Sequence, residues 1–180
     1  MAHRRIPCIV RTQDATPRRR LQRDVTEGPM TDLHERLQVI EDRLALADLI
    51  ARYGPAVDSG DGKSLARDWC EEAVYAGDGW EFRGLEAIAG IPDFPQHRAF
   101  MAQGCAHVLG PHAITLSGDT ASARGHSLVM VQAQGLWQVV RASANLWQFR
   151  REPQGWRILR RDLRPLDGSP AAQALLQPHM

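Results

Sequence analysis

The sequence has few of the features that mark secreted, membrane-spanning or nucleotide-binding proteins. No apolar run approaches the roughly 20 residues that are needed to cross a bilayer. The chain has three cysteines and no C-x-x-C pair, which argues against a disulfide framework and fits a reducing compartment. It also has no phosphate-cradling glycine loop and no G-x-S-x-G elbow, so nucleotide binding and serine hydrolysis have no support. We therefore expect a cytoplasmic protein without a membrane partner.

Most of the chain carries little net charge, and the largest excess of one sign lies at its start. Residues 1–29 hold seven arginines against three acidic residues, a balance of +4. Because the whole chain carries +1, residues 30–180 carry −3 and give no electrostatic reason to bind nucleic acid. We expect residues 1–29, which are rich in arginine and proline and poor in apolar residues, to be disordered. A basic segment can also contact nucleic acid or act as a transit peptide, but we favour a translation start at Met30.

The remaining sequence divides into a helical half and a strand-rich half. Apolar residues follow helical spacing from Leu33, and short helical or hairpin segments continue to about residue 103. Four strand-like runs then follow, separated by the turns "SGD", "QG" and "EPQG". Helices followed by consecutive strands predict an α+β domain over residues 30–168, with the helices packed on a curved, mostly antiparallel sheet. Residues 169–180 carry no strong signal and are assigned as a C-terminal tail.

The first long helix places a carboxylate, Asp58, at the end of an apolar stripe. The residues of this stripe follow one another at intervals of three or four, so they share one face of the helix, which we expect to point inward. Its members are Leu33, Leu37, Ile40, Leu44, Ala47, Ala51, Gly54 and Asp58. The opposite, outward side carries Glu41, Asp42, Asp48 and Arg52. Either the small residues let the helix pack tightly on the sheet and Asp58 is solvated or a cap, or they leave a pocket with Asp58 in its wall. A buried carboxylate needs a partner.

The best partner for Asp58 is His107, at the start of the first long strand. Alternation along a strand places His107 and Cys105 on the same face. A carboxylate that accepts a hydrogen bond from one imidazole nitrogen fixes the tautomer and raises the basicity of the other nitrogen, which can then act as a general base. A lone histidine on a strand is otherwise more often structural or exposed, and spacing alone leaves that alternative open.

Four segments, taken in order, carry a family resemblance. "ALADLIARYGPAVDSGDGKSLARDWCEEAVY", "FRGLEAI", "CAH" and "GWRILRRD" resemble the SnoaL-like family of the nuclear transport factor 2-like superfamily. Within it, the pattern is most similar to the hexachlorocyclohexane dehydrochlorinases and scytalone dehydratases, over about residues 33–166. The resemblance implies a cone-shaped barrel in which a strongly bent sheet wraps around helices and encloses a deep apolar pocket.

The resemblance also assigns catalytic residues. Asp58 in "VDSGD" and His107 in "CAH" match the family's catalytic dyad. Arg161 matches a pocket arginine in the "WRILRR" strand. Tyr53 stands where the dehydrochlorinase has a lysine and where ketosteroid isomerase has an oxyanion-hole tyrosine, which weakens the case for dehydrochlorination itself.

Further residues are expected to bind substrate. Tyr75 falls on a pocket-lining aromatic position, and Trp80 is a second aromatic candidate. His126 matches a second pocket histidine of scytalone dehydratase, but the strand pattern equally allows a structural core or surface histidine. We expect no metal, because the cysteines and histidines show no paired ligand motif of the zinc kind. The strand face with Arg141, Asn145 and Trp147 suits a subunit interface, and the family commonly forms dimers or trimers.

These residues predict a cofactor-independent lyase that carries out dehydration, elimination or hydration on a small apolar molecule. One alternative is a non-catalytic binding or assembly module, like the β subunit of ring-hydroxylating dioxygenases. A second alternative is an isomerase or polyketide cyclase that uses the same pocket, with Asp58 or Asp78 as the base. We expect the protein to work as a homodimer or homotrimer.

Overall fold

The computed structural model describes residues 33–177, and the predictions for residues 1–29 fall outside this range. The elements are five helices, a short 3-10 helix and six strands. They are α1 (Leu33–Asp58), α2 (Gly62–Arg67), β1 (Trp69–Ala76), β2 (Glu81–Arg83), α3 (Gly84–Ala89), the 3-10 helix (Ile91–Asp93), α4 (Pro95–Gln103), β3 (Cys105–Ser117), β4 (Thr120–Ala133), β5 (Leu136–Glu152), β6 (Gly155–Pro165) and α5 (Pro170–Leu176). No helix in this range is long and apolar enough to cross a membrane.

The six strands form one sheet in the order β2-β1-β6-β5-β4-β3. All neighbours are antiparallel except β1 and β6, which are parallel. The register shifts in each pairing between β3 and β6, and such bulges bend the strands. The predicted α+β class, with helices against a curved and mostly antiparallel sheet, is confirmed.

The predicted inward face of α1 is wrong over most of the helix. Leu37, Ile40 and Leu44 are exposed, as are all residues from 33 to 41. The buried face is rotated away from that stripe and consists of Leu46, Leu49, Ile50, Tyr53, Gly54 and Val57, together with Asp42 at its start. Helical spacing fits both sets, since it shows which residues share a face and not which face the rest of the domain covers.

The C-terminal tail contains a helix that the sequence analysis did not predict. In α5, the Ser169 side chain accepts a hydrogen bond from the Ala172 amide, and Pro170 takes the first helical position. This combination is a common helix start. Ala172 is buried, and α5 packs against β5 and β6.

Candidate active site

Asp58 and His107 meet where the last turn of α1 contacts the start of β3. The Asp58 Oδ1 atom lies 2.6 Å from Nδ1 of His107, and Oδ2 accepts the backbone N–H of His107, also at 2.6 Å. The thiol of Cys105 donates to Oδ1 at 3.3 Å. The carboxylate therefore holds both the main chain and the ring of His107. Because Nδ1 donates its proton to Asp58, Nε2 of a neutral ring is left with a free lone pair.

Gly54 makes this contact possible. It lies one helical turn before Asp58, and a Cβ atom at this position would overlap the carbonyl oxygen of His107. Glycine at this position therefore allows the helix and the strand to approach closely. This agrees with the interpretation that small residues let the helix pack tightly on the sheet. Ala47 and Ala51, the other small residues of the predicted stripe, are exposed.

The environment keeps the resting His107 ring neutral and Asp58 ionised. Burial lowers the pKa of His107, and the hydrogen bond and charge of Asp58 offset this only in part. Burial alone would raise the pKa of Asp58, but the hydrogen bonds from the His107 ring and backbone outweigh it, so that pKa lies below its ordinary value. The His107 side chain is 9% exposed and the Asp58 side chain 20%. A neutral imidazole with a free nitrogen is the form that accepts a proton.

A cavity of about 270 Å³ opens in front of His107. Half of its lining residues are aromatic, and most of the others are apolar or neutral. The aromatic residues are Tyr53, Tyr75, Trp80, Phe82, Phe94 and Phe100. The cavity lies beside Tyr53 and Val57 of α1, and its lining includes no acidic residue. Such a space suits a small hydrophobic molecule that is oriented by few polar groups.

Arg161 lies behind the cavity wall. Its guanidinium carbon sits 4.2 Å above the Tyr53 ring, 4.6 Å from Tyr75 and 4.3 Å from Trp147. The guanidinium also donates to Oδ1 of Asn145 at 2.8 and 3.1 Å, and the residue is 2% exposed. Arg161, predicted as a catalytic residue, does not line the cavity, but it contacts the two tyrosines that do.

Tyr53, predicted as a catalytic residue, and Tyr75 and Trp80, predicted to bind substrate, all line the cavity. Tyr53 and Tyr75 pack edge to face at 6.0 Å, and Trp80 packs edge to face on Tyr75 at 5.1 Å. Burial raises the pKa of Tyr53, so its hydroxyl stays protonated and able to donate a hydrogen bond.

His126 is not in the cavity, and its predicted pocket position is wrong. The side chain is exposed on the face of β4 opposite to the neighbouring Ser127, which is buried. Strand alternation shows which residues share a face with His126, but it does not show which face of the sheet is turned towards the cavity. The histidine that joins His107 in the cavity is instead His97 of α4, whose Nε2 lies 2.8 Å from the Val57 carbonyl oxygen. The two rings are 5.2 Å apart.

The face with Arg141, Asn145 and Trp147 was expected at a subunit interface, and this expectation is wrong. Asn145 and Trp147 are fully buried on the inner side of the sheet, and Arg141 lines the cavity. Arg141 is thus a site residue that the sequence analysis missed. The signal available in the sequence was strand alternation, which places Arg141 on the same face as Asn145 and Trp147.

Three side chains could approach a metal ion at the dyad. Asp58, His97 and Cys105 each offer one ligand atom, all within 4.8 Å of one another. However, Asp58 already accepts hydrogen bonds from His107 and Cys105. Burial and the neighbouring Asp58 raise the pKa of Cys105 to about 12, so its sulfur carries a proton instead of the charge that a metal prefers. The donor set therefore suits the hydrogen-bonded dyad better than an ion.

The fold and the dyad define a SnoaL-like protein, and residues 38–162 match the model of the SnoaL-like domain. The chain belongs to this family, within the nuclear transport factor 2-like superfamily. An uncharacterised protein of Mycobacterium tuberculosis is 33% identical over 132 residues, which cover 68% of this chain and 84% of that protein.

Two solved structures show the same fold. An NTF2-like protein with a cystatin-like fold from Novosphingobium aromaticivorans is 51% identical, with a TM-score of 0.80 over 83% of this chain and 97% of that one. A hexachlorocyclohexane dehydrochlorinase from Novosphingobium barchaimii has a TM-score of 0.63 at 18% identity, over 74% of this chain and 96% of that one. At that identity the second likeness concerns the fold alone.

Proposed function

We propose that the protein is a cofactor-independent lyase that removes a proton from a small, largely apolar molecule and expels a leaving group from the adjacent atom. The SnoaL-like and NTF2-like proteins include dehydratases, dehydrochlorinases and isomerases. The observation that carries the proposal is the 2.6 Å contact between Asp58 and His107, which leaves the other ring nitrogen of His107 free at a mostly apolar cavity.

Each group at the cavity has a role in this reaction. Nε2 of neutral His107 takes the proton, and the electrons of the C–H bond form a double bond as the leaving group departs with its own pair. Asp58 stabilises the imidazolium that forms, since it already accepts the Nδ1 proton. The hydroxyls of Tyr53 and Tyr75 can donate to an oxygen or leaving group on which negative charge develops. The imidazolium then returns its proton to the leaving group or to water.

Isomerisation through a carboxylate base has less support. The cavity lining contains no carboxylate, and Asp78, the alternative base, is exposed in the turn between β1 and β2. Proton transfer by Asp78 to a molecule in the cavity would need a rearrangement of that turn.

Self-association into dimers or trimers stays a prediction.

The proposal can be tested with a panel of enolisable cyclic ketones, β-hydroxy ketones and halogenated cyclohexanes. NMR in D₂O follows both alkene formation and deuterium uptake at carbon. We expect one class to react with the wild type and His107→Gln to lower its rate by about 10²- to 10⁴-fold. Compounds that bind in the cavity without exchange or elimination, or an unchanged rate in His107→Gln, would favour the non-catalytic binding module.

A further inference from the structure

We propose that Arg141 makes the cavity selective for a hydrophobic molecule that carries a carboxylate group. The proposal names the substrate class of the site described above and so rests on the proposed function for its biological meaning. The binding preference itself depends only on the cavity.

Arg141 brings a positive charge to the cavity. No ion pair and no side-chain hydrogen bond among residues 33–177 involves it. Its Nε atom is buried and finds no hydrogen-bond acceptor in the part of the chain that the structure describes. Arginine keeps its charge in proteins, and a buried guanidinium nitrogen without an acceptor is unfavourable. A bound anion would supply the missing acceptors.

The sheet register directs Arg141 and His107 into the same space. His107 pairs with Val129 across β3 and β4, and Val129 pairs with Arg141 across β4 and β5. Directly opposed residues of neighbouring strands point to the same face of the sheet. Two strand spacings separate the backbones of His107 and Arg141 by roughly 10 Å. His107 and Arg141 therefore both reach the cavity from strands that are two places apart in the sheet.

The charges around the cavity do not cancel. Asp58 is the carboxylate beside His107, while Arg141 and the buried Arg161 supply two cations. The Nη1 atom of Arg161 also lacks a hydrogen-bond acceptor among the described residues. Two cations against one carboxylate favour an anionic ligand.

The shape of the cavity limits which anion fits. Part of the cavity wall is formed by Trp80, Phe82 and Phe94, and the Phe82 ring packs against each of the other two. A ligand that satisfies both this aromatic wall and Arg141 has an apolar body and one charged end. The planar guanidinium matches a carboxylate, which can accept two parallel hydrogen bonds. A small hydrophobic monocarboxylate combines these properties.

The test compares acids with their amides, which have nearly the same shape and no charge. Calorimetry would measure the binding of cyclohexanecarboxylate, benzoate and phenylacetate against the three matching primary amides. We expect the wild type to bind at least one acid about 10-fold or more tightly than its amide. Arg141→Gln should weaken binding of that acid about 10- to 100-fold and change amide binding less than 2-fold.

Two further variants separate this proposal from the proposed function. Arg98→Gln removes an exposed arginine of α4 outside the cavity and should leave every affinity unchanged. His107→Gln should abolish turnover and keep the preference for the acid, so the preference survives even if no lyase activity is found. Equal affinity for acids and amides, no binding of either, or an unchanged preference in a folded Arg141→Gln protein would overturn the proposal.

Discussion

Helix α1 carries two partly or fully buried carboxylates, sixteen residues apart, that have opposite roles. Asp42 is fixed by permanently charged or neutral donors: the Arg151 guanidinium at 2.5 and 2.9 Å, the Trp156 indole at 3.0 Å and the Gln38 amide at 3.0 Å. Asp58 is fixed mainly by His107, whose ring can gain and lose a proton. Asp42 does not line the cavity, whereas His107, the partner of Asp58, does.

The difference shows what separates a structural carboxylate from one that supports chemistry. The hydrogen bonds and charge of Arg151 lower the pKa of Asp42 to about 2, and no proton can usefully pass through an arginine. The Asp58 carboxylate instead supports a neutral histidine whose second nitrogen is free at a ligand-sized space. Burial and a lowered pKa are shared by both carboxylates, so the partner decides the function.

The largest expected effect separates the two carboxylates by activity. Asp58→Asn should lower turnover of any substrate found by about 10²-fold or more, because the amide cannot stabilise the imidazolium and favours the wrong tautomer. Asp42→Asn makes the same chemical change on the same helix and should leave turnover of the folded protein within 2-fold. Equal losses in both variants, measured under conditions where both are folded, would contradict the assignment.

The next effect separates them by stability. Asp42→Asn should lower the free energy of unfolding by about 2 kcal/mol, since it leaves the Arg151 guanidinium and Trp156 indole with weaker acceptors. Urea denaturation at pH 7 would measure this loss. Asp58→Asn should cost less, because the amide oxygen can still accept the backbone N–H of His107. A larger loss in Asp58→Asn would show that the dyad is the main structural pair.

The contribution of Asp42 should also depend on pH. Its pKa is about 2 in the folded protein and 3.8 as the unperturbed value, so its stabilisation is present above pH 3.8 and is lost as the pH falls towards 2. The difference in unfolding free energy between wild type and Asp42→Asn should shrink by about 1 kcal/mol from pH 5 to pH 3. A difference that stays constant or grows on acidification would contradict the lowered pKa.

A smaller effect is expected at Gly54, which allows the Asp58 end of α1 to approach β3. Gly54→Ala gains helix propensity of up to about 1 kcal/mol but forces a Cβ against the His107 carbonyl oxygen, which costs about 1–3 kcal/mol. We expect a net loss of about 1 kcal/mol by urea denaturation, together with reduced turnover. Gly90→Ala, where the added Cβ meets its nearest atoms at an ordinary 3.5 Å, is the matched control and should be nearly neutral.

The sequence predicted the dyad because its signals are local. Asp58 ends a helix, Cys105 and His107 alternate on one strand, and the surrounding segments resemble a known family. The predictions for Asp42, on the outward face of α1, and for Arg141, at a subunit interface, were wrong because both depend on residues that are distant in the sequence. Asp42 binds Arg151 and Trp156, which are 109 and 114 positions away. Periodicity shows which residues share a face, but only the packed structure shows which face closes over the core or the cavity.

The most direct test of the dyad needs no substrate: titration of His107 by NMR in the wild type, Asp58→Asn and Asp42→Asn. The account predicts a pKa below the ordinary histidine value in the wild type, because burial outweighs the carboxylate, with the proton of the neutral ring on Nδ1. In Asp58→Asn the pKa should fall further, since burial remains and the negative charge is lost, while Asp42→Asn should match the wild type. Identical titration of His107 in all three proteins would contradict the coupling of Asp58 and His107 on which the proposed function depends.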